Sequence, residues 1–358
     1  MTLDSSLTDL AQRRSPARFG LSEATMSLDV VVTRGDVVES RHRVHAAVVD
    51  ATGRILHSAR DPHLVTWWRS CAKPFQVLPL VMEGGLEQLG WTSDELALAC
   101  ASHGGEPEHV ALAGAMLAGL GLEEGDLACG PHEPLTSRGV RVLRESGHRL
   151  TRLHNNCSGK HAAMLARAAM HGWATEGYER AGHPVQDAAR DTVAAWAGLA
   201  PDAVHVGVDG CGVTVFALPL ANMALSYARL AAAANRGEDA PARVVNAMTT
   251  NPFLVGGTDR FDTVLMEAFD GRVLCKVGAE GVHTLALVDR EIGIAVKVDD
   301  GAPRAQHPAV MAVLAALGEL PDELPDALRE YTNRPIRNTR NDNVGEIRVG
   351  AERVGSRA

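Results

Sequence analysis

Lysine occurs only at positions 73, 160, 276 and 297, while the other 31 basic side chains are arginine. Arginine keeps its proton at any workable pH, whereas a desolvated lysine amine can become a neutral base or a metal ligand. The four lysines are therefore the first places to look for chemistry. Ser70-Cys71-Ala72-Lys73 has S-x-x-K spacing. Three residues apart on a helix puts hydroxyl and amine on one face, and a helix N-terminus favours a developing oxyanion. A neutral Lys73 could then take the Ser70 proton, the mechanics of acylating serine enzymes. The competing use is Ser70 as a helix cap beside a solvated Lys73. Cys275-Lys276-Val277-Gly278 sets a second lysine at the end of an expected strand, and Gly278 and Gly281 let a ligand or backbone come close. That is compatible with a K-x-G element facing a serine pocket. In Ala101-Ser102-His103-Gly104-Gly105-Glu106, Ser102 offers a second hydroxyl, and His103 or Glu106 could orient a substrate amine; helix capping is the alternative use. Lys297, in the polar phase of AVKVDD, reads as a solvated strand lysine.

Two further motifs carry soft donors. Asn156-Cys157-Ser158-Gly159-Lys160-His161 runs into a helical pattern, and a Cys in a first helical turn is biased toward thiolate. Asp209-Gly210-Cys211-Gly212 supplies a second thiol on a Gly-flexed loop. Two cysteines with a nitrogen donor and an open position suit catalytic zinc, and spacing alone offers His154 or His161 as the third ligand. Two unrelated buried thiols would leave the same trace.

These groups need positioning elements. From Leu28 to Ala59 the Val-rich alternation predicts a strand meander with a turn at Asp50-Ala51-Thr52-Gly53. A helix is predicted to begin near Ser70, with Pro74 tolerable only in its first turn. Helical periodicity follows over roughly 93–100, 106–119, 159–171, 183–198 and 223–235. Between two of these, VHVGVDGCGVTVFALPL reads as one strand bent at Gly210 and Gly212, and GVHTLALVDREIGIAVKVDDG as a hairpin turning at Asp289-Arg290-Glu291. One short strand is expected after residue 335. A helix-rich middle between β-rich ends predicts an α/β fold in layers, in which N- and C-terminal segments share one antiparallel sheet. That order brings the Ser70 helix start near Lys276.

The chain of 358 residues reads as a flexible extension over 1–25, a single catalytic unit over 26–350 and a tail over 351–358. Its net charge of -9 recommends no nucleic-acid backbone or anionic membrane as partner. No apolar run reaches membrane-spanning length. Six thinly spread cysteines without an exported start predict reduced thiols and a cytoplasmic setting.

Taken together, SCAKPFQ, ASHGGEPEH, HNNCSGKHAAML, DGCGV and CKVGAEGV resemble, in one order, the bacterial type II L-asparaginases of the rhizobial kind. The resemblance covers roughly residues 28 to 350. It implies a fold similar to serine β-lactamases and glutaminases, a homodimer, and hydrolysis of L-asparagine to L-aspartate and ammonia. Ser70 with Lys73 would form one Ser–Lys tandem and Ser102 with Lys276 the other. Cys157, Lys160 and Cys211 would hold Zn2+, the lysine replacing a histidine as third ligand. His103, Asn156, Asp209 and Glu280 are the candidate substrate contacts, with Asp209 near the metal-bound water. The expected chemistry is attack by Ser70, with Ser102 and Lys276 relaying a proton to departing ammonia. Two other readings compete: a penicillin-recognising serine hydrolase, which does not predict the CSGK and DGCG elements, and a non-enzymatic zinc or thiol-sensing protein, which leaves the Ser–Lys pairs unexplained.

Overall fold

The computed structural model describes residues 24–321 and 323–350. The expected N-terminal extension therefore lies outside the described residues except for its last two, and the 351–358 tail lies outside entirely. The predicted meander forms β1 (Ala24–Thr25), β2 (Val30–Arg34), β3 (Val37–His42), β4 (Val44–Asp50) and β5 (Ile55–Ala59). Short β6 (Val65–Trp67) follows, then β7 (His205–Val208) and β8 (Thr214–Pro219) within the helical middle. The C-terminal part adds β9 (Val273–Val277), β10 (Val282–Leu287), β11 (Ile292–Val298), β12 (Arg334–Arg337) and β13 (Asn343–Val349).

The fold is α/β with antiparallel sheets. As the sequence predicts, its two ends share a sheet, of order β1-β5-β4-β11-β10-β9, antiparallel except for β1 along β5. Strands β10 and β11 are buried along their whole length, as near-continuous apolar runs must be when helices cover both sheet faces. Register identifies the faces, since directly paired residues point the same way. Lys276 pairs with Thr284, and Ala286 with Gly293, so these four face one side. There the Leu220–Asn235 helix packs so closely that a Cβ on Gly293 would lie 1.8 Å from the Ala224 carbonyl oxygen. Cys275 and Val277 pair with Leu285 and His283 on the reverse side, where the Phe261–Phe269 and Pro303–Ala316 helices lie.

Three expectations change. Strands β2 and β3 leave the meander to form a second sheet, β12-β13-β2-β3, with two C-terminal strands where one was expected. The segment read as one bent strand is a hairpin: β7 and β8 pair antiparallel across Asp209–Val213, with β6 on the other edge of β8. Lys297 is buried rather than solvated, its ammonium donating to the Glu280 and Val298 carbonyls at 2.7 and 2.5 Å. Glu280 itself is exposed, at φ 61°, in the turn joining β9 to β10.

Candidate active site

The turn carrying Ser70 is a 3₁₀ segment, Arg69–Ala72, that runs into the Lys73–Met82 helix with Pro74 in its first turn. Its neighbours clamp it. The Cys71 thiol donates to the Lys276 carbonyl at 2.9 Å, the Tyr227 hydroxyl donates to the Cys71 carbonyl at 2.8 Å, and the Trp68 indole donates to Thr284 Oγ1 at 3.0 Å. The start of this helix is thereby fastened to β9, β10 and the Leu220–Asn235 helix. Burial pushes the Cys71 thiol up to about 12, so it is a structural group and not a nucleophile.

Ser102 lies just past the Ser93–Cys100 helix, which begins with a capping box between Thr92 and Glu95. The loop after it is tightly held. Ser102 N–H donates to the Val255 carbonyl at 3.1 Å, and Leu135 N–H to the Gly104 carbonyl at 2.9 Å. Gly105 sits at φ 69°, where a Cβ would lie 2.9 Å from the His154 carbonyl oxygen. Glu106 closes the loop by accepting from Thr258 N–H and Thr258 Oγ1, both at 2.7 Å, and from Arg138.

Two lysines from different elements converge on the Ser102 hydroxyl. Lys73 Nζ lies 3.0 Å from Ser102 Oγ, and Lys276 Nζ lies 2.8 Å from the same oxygen. All three groups are buried. Lys73 also donates to the Ala101 carbonyl and, at 3.3 Å, to the Asn156 carbonyl, so its three N–H bonds have three acceptors. Lys276 donates to the Val277 carbonyl at 2.9 Å. Burial depresses the Lys276 amine to about 8, against the pull of nearby Asp262. The Ser70 side chain is half-buried, and among the described residues its hydroxyl has no hydrogen-bond partner. The structure thus joins Ser102 to both lysines and does not hydrogen-bond Lys73 to the Ser70 hydroxyl.

The second expected cluster adjoins the first through Asn156. Asn156 Oδ1 accepts from the Cys157 thiol at 3.2 Å, and Lys160 Nζ lies 3.2 Å from Cys211 Sγ. The adjacent Cys157 thiol and the Lys160 charge pull the Cys211 thiol down to about 4, while Cys211 and burial push Cys157 up. Burial would lower Lys160, but the Cys211, Cys157 and Asp209 charges raise it. Two sulfurs and an amine therefore lie together and fit a zinc donor set once the amine gives up its proton. Neither alternative histidine joins them. His161 is turned to the Tyr178 hydroxyl at 2.5 Å and His154 to Thr151, and neither belongs to a convergent three-ligand group among the described residues.

The remaining candidates lie in different settings. Asp209 accepts from Arg69 Nε and from Gly210 N–H, both at 2.8 Å. Burial would raise its carboxyl, but the Lys160 and Arg69 cations hold it low. His103 is buried with both ring nitrogens engaged: Nδ1 accepts from Gly105 N–H at 3.1 Å, so Nε2–H donates to Ser158 Oγ at 2.9 Å. It thus braces the Ser102 loop. The Glu280 carboxylate lies over Gly301, with no hydrogen bond to the lysine cluster among the described residues.

Two positioning residues escaped sequence reasoning. Arg69, at φ 54°, links the Ser70 turn to the Asp209 loop, and only its adjacency to Ser70 hints at this. Asp262 receives the Val277 N–H at 2.8 Å and so fixes the strand that carries Lys276. In the sequence it looks like an ordinary first-turn helix acid.

A family model described as L-asparaginase II matches residues 30–349. No curated protein sequence matches the chain. Among solved structures, the chain is similar to Mglu at 16% identity and a TM-score of 0.43, over 77% of this chain and 67% of that one. Its similarity to the glutamate form of Mglu has 16% identity and a TM-score of 0.44, over 77% of this chain and 61% of that one. A β-lactamase from Mycobacterium bovis is similar at 11% identity and a TM-score of 0.33, over 76% of this chain and 94% of that one. The chain spans between 61% and 70% of the length of the Mglu chains it matches.

Proposed function

From the fact that this chain belongs to the L-asparaginase II family, we propose that it hydrolyses the side-chain amide of L-asparagine to L-aspartate and ammonia by serine–lysine chemistry. The observation that carries the mechanism is the Ser102 hydroxyl held between the amines of Lys73 and Lys276 at 3.0 and 2.8 Å. A hydroxyl between two amines can accept from a charged one while donating to a neutral one, which makes it a proton relay. Ser70 is the hydroxyl left free for substrate, half-buried and without a partner among the described residues. In this reading Lys73 passes a proton through Ser102 to a neutral Lys276, and the freed Lys73 amine takes the Ser70 proton as Ser70 attacks the amide carbon. The relay then protonates the departing ammonia, and water cleaves the resulting ester to free aspartate.

Cys157, Lys160 and Cys211 would hold Zn2+, and the bound cation would supply a fixed positive charge for orienting an anionic substrate group. Asn156 joins the two clusters, with its carbonyl on Lys73 and its side-chain oxygen on Cys157. In this reading Asp209, held by Arg69 beside Lys160, receives the substrate amino group. A homodimer in the cytoplasm belongs to the same proposal. Among the described residues no helix is long and apolar enough to cross a membrane.

The test is ammonia release from asparagine, glutamine and backbone amides, with active-site trapping by an asparagine analogue and peptide mapping. Ser70→Ala should lower kcat by about 10³-fold or more, and the trapped adduct should map to Ser70. An adduct on Ser102 would transfer the nucleophile's role to that serine. Full activity in Ser70→Ala together with Ser102→Ala would reject serine chemistry altogether.

A further inference from the structure

On the reverse face of β9, away from the Ser102 cluster, three donors of different kinds meet. Asp262 comes from the first turn of the Phe261–Phe269 helix, Cys275 from β9 and His283 from β10. All three are buried, and one ligand atom of each lies within 4.8 Å of the others. We propose that Asp262, Cys275 and His283 form a structural site for a single zinc-class divalent cation that braces the strand bearing Lys276. The proposal rests on these three residues and holds whether or not the reaction proposed above is correct.

The decisive observation is a buried oxygen and nitrogen at ion-pair distance whose hydrogen bond is poorly aligned. Asp262 Oδ1 and His283 Nε2 are 3.1 Å apart. Yet both atoms, and His283 Nδ1, lack a hydrogen-bond partner among the described residues, so the ring N–H is not aimed at the carboxylate. A buried ion pair pays for desolvation only when its hydrogen bond is well made. Two ligands converging on a shared cation show the opposite pattern. Their separation is short, about 3.3 Å when each bond to zinc is near 2.0 Å, and their lone pairs aim at a third point.

The surroundings fit the same reading. The other carboxylate oxygen, Asp262 Oδ2, accepts the Val277 N–H at 2.8 Å, which fixes the carboxylate as an outer-shell contact fixes a ligand. Phe261, His307 and Tyr331 wall the site with rings, and Phe261 stands edge-on to His283 at 5.4 Å. One carboxylate and one thiolate balance a divalent cation, so the filled site is neutral and cheap to bury. Without a cation, the Cys275 thiol donates to the Asp262 backbone carbonyl at 3.7 Å. One oxygen, one nitrogen and one sulfur donor suit zinc or cobalt and not magnesium or calcium.

The experiment uses the full-length chain carrying Cys157→Ser and Cys211→Ser, which removes both sulfurs of the other donor set. The protein is folded with Co2+ present, because the site is closed to solvent, then dialysed and checked by circular dichroism. Retention of one equivalent of Co2+ with thiolate-to-cobalt charge-transfer absorption is the expected result. Adding Cys275→Ser should abolish that absorption, and His283→Gln should weaken Co2+ binding by about 10-fold or more. If Cys275→Ser does not fold, X-ray absorption on the double variant answers instead, the expected shell holding one sulfur among nitrogen and oxygen neighbours. No Co2+ retained, absorption that survives Cys275→Ser, or a shell with no sulfur or two sulfurs would each overturn the proposal in favour of a plain Asp262–His283 pair.

Discussion

Lys276 and Lys73 touch the same serine oxygen but differ in what each can give. Lys73 has its three donors matched by three acceptors, whereas Lys276 makes two contacts and is depressed by burial. Lys276→Arg keeps a cation at this place and removes the removable proton. Steady-state ammonia release should fall by about 10²-fold or more in that variant, and wild-type turnover there would show that Lys276 acts only as a charge. A chelator, or Cys157→Ser, should raise KM for asparagine more than it lowers kcat if the metal orients substrate; a purely kcat effect would place the metal in the chemistry. Much of this was visible at the residue level. The scarcity of lysine directed attention to 73, 160 and 276, and all three are buried. What spacing does not show is that Lys73 hydrogen-bonds Ser102. S-x-x-K brings two residues to one side of a turn, but the ammonium goes where acceptors stand, and the Ala101, Ser102 and Asn156 oxygens come from other segments.

Elements, more than single residues, decide whether Ser102 reaches those amines. Its loop turns at Gly105, where any other residue meets both a left-handed backbone and a contact of 2.9 Å with the His154 carbonyl. Gly105→Ala should cost about 2 kcal/mol in denaturant unfolding and reduce activity by displacing Ser102. Glu106 holds the far end of the loop. Burial would raise its carboxyl, but the Thr258 and Arg138 contacts outweigh this and hold it below its ordinary value. A carboxyl lowered in the folded state contributes stability above its unfolded value, and that stability is lost as pH falls through the folded one. The melting temperature should therefore drop on acidification through the carboxylate range, and Glu106→Gln should show less of that drop while being less stable near neutrality. Element boundaries were largely readable. The helix expected over 93–100 is the Ser93–Cys100 helix, because a capping box and apolar period mark it locally. The β7–β8 hairpin was read as one strand because only pairing in space shows that the Asp209–Val213 segment reverses the chain.

At the scale of the whole molecule, the six-stranded sheet separates two clusters of reactive side chains. Lys276 and the serine cluster lie on the face covered by the Leu220–Asn235 helix, and the Asp262–Cys275–His283 trio lies behind it. That helix approaches the sheet at Gly293, so Gly293→Ala should destabilise the chain by about 3 kcal/mol or more in chemical unfolding, with no comparable loss from an alanine at open Gly119. A mild effect at Gly293 would mean that the two layers can part without cost. Composition and periodicity by themselves determined the α/β class, the sharing of one sheet by the two chain ends, and the residues with reactive potential. These are local quantities: period, turn chemistry and side-chain type. Only the tertiary structure decided which strands leave for the second sheet, that Lys297 is buried, that Ser102 rather than Ser70 receives Lys73, and that Asp262 stands behind Lys276. Each of these depends on which distant segments pack together, since burial and hydrogen-bond partners arise from contacts far apart in sequence that no local pattern encodes.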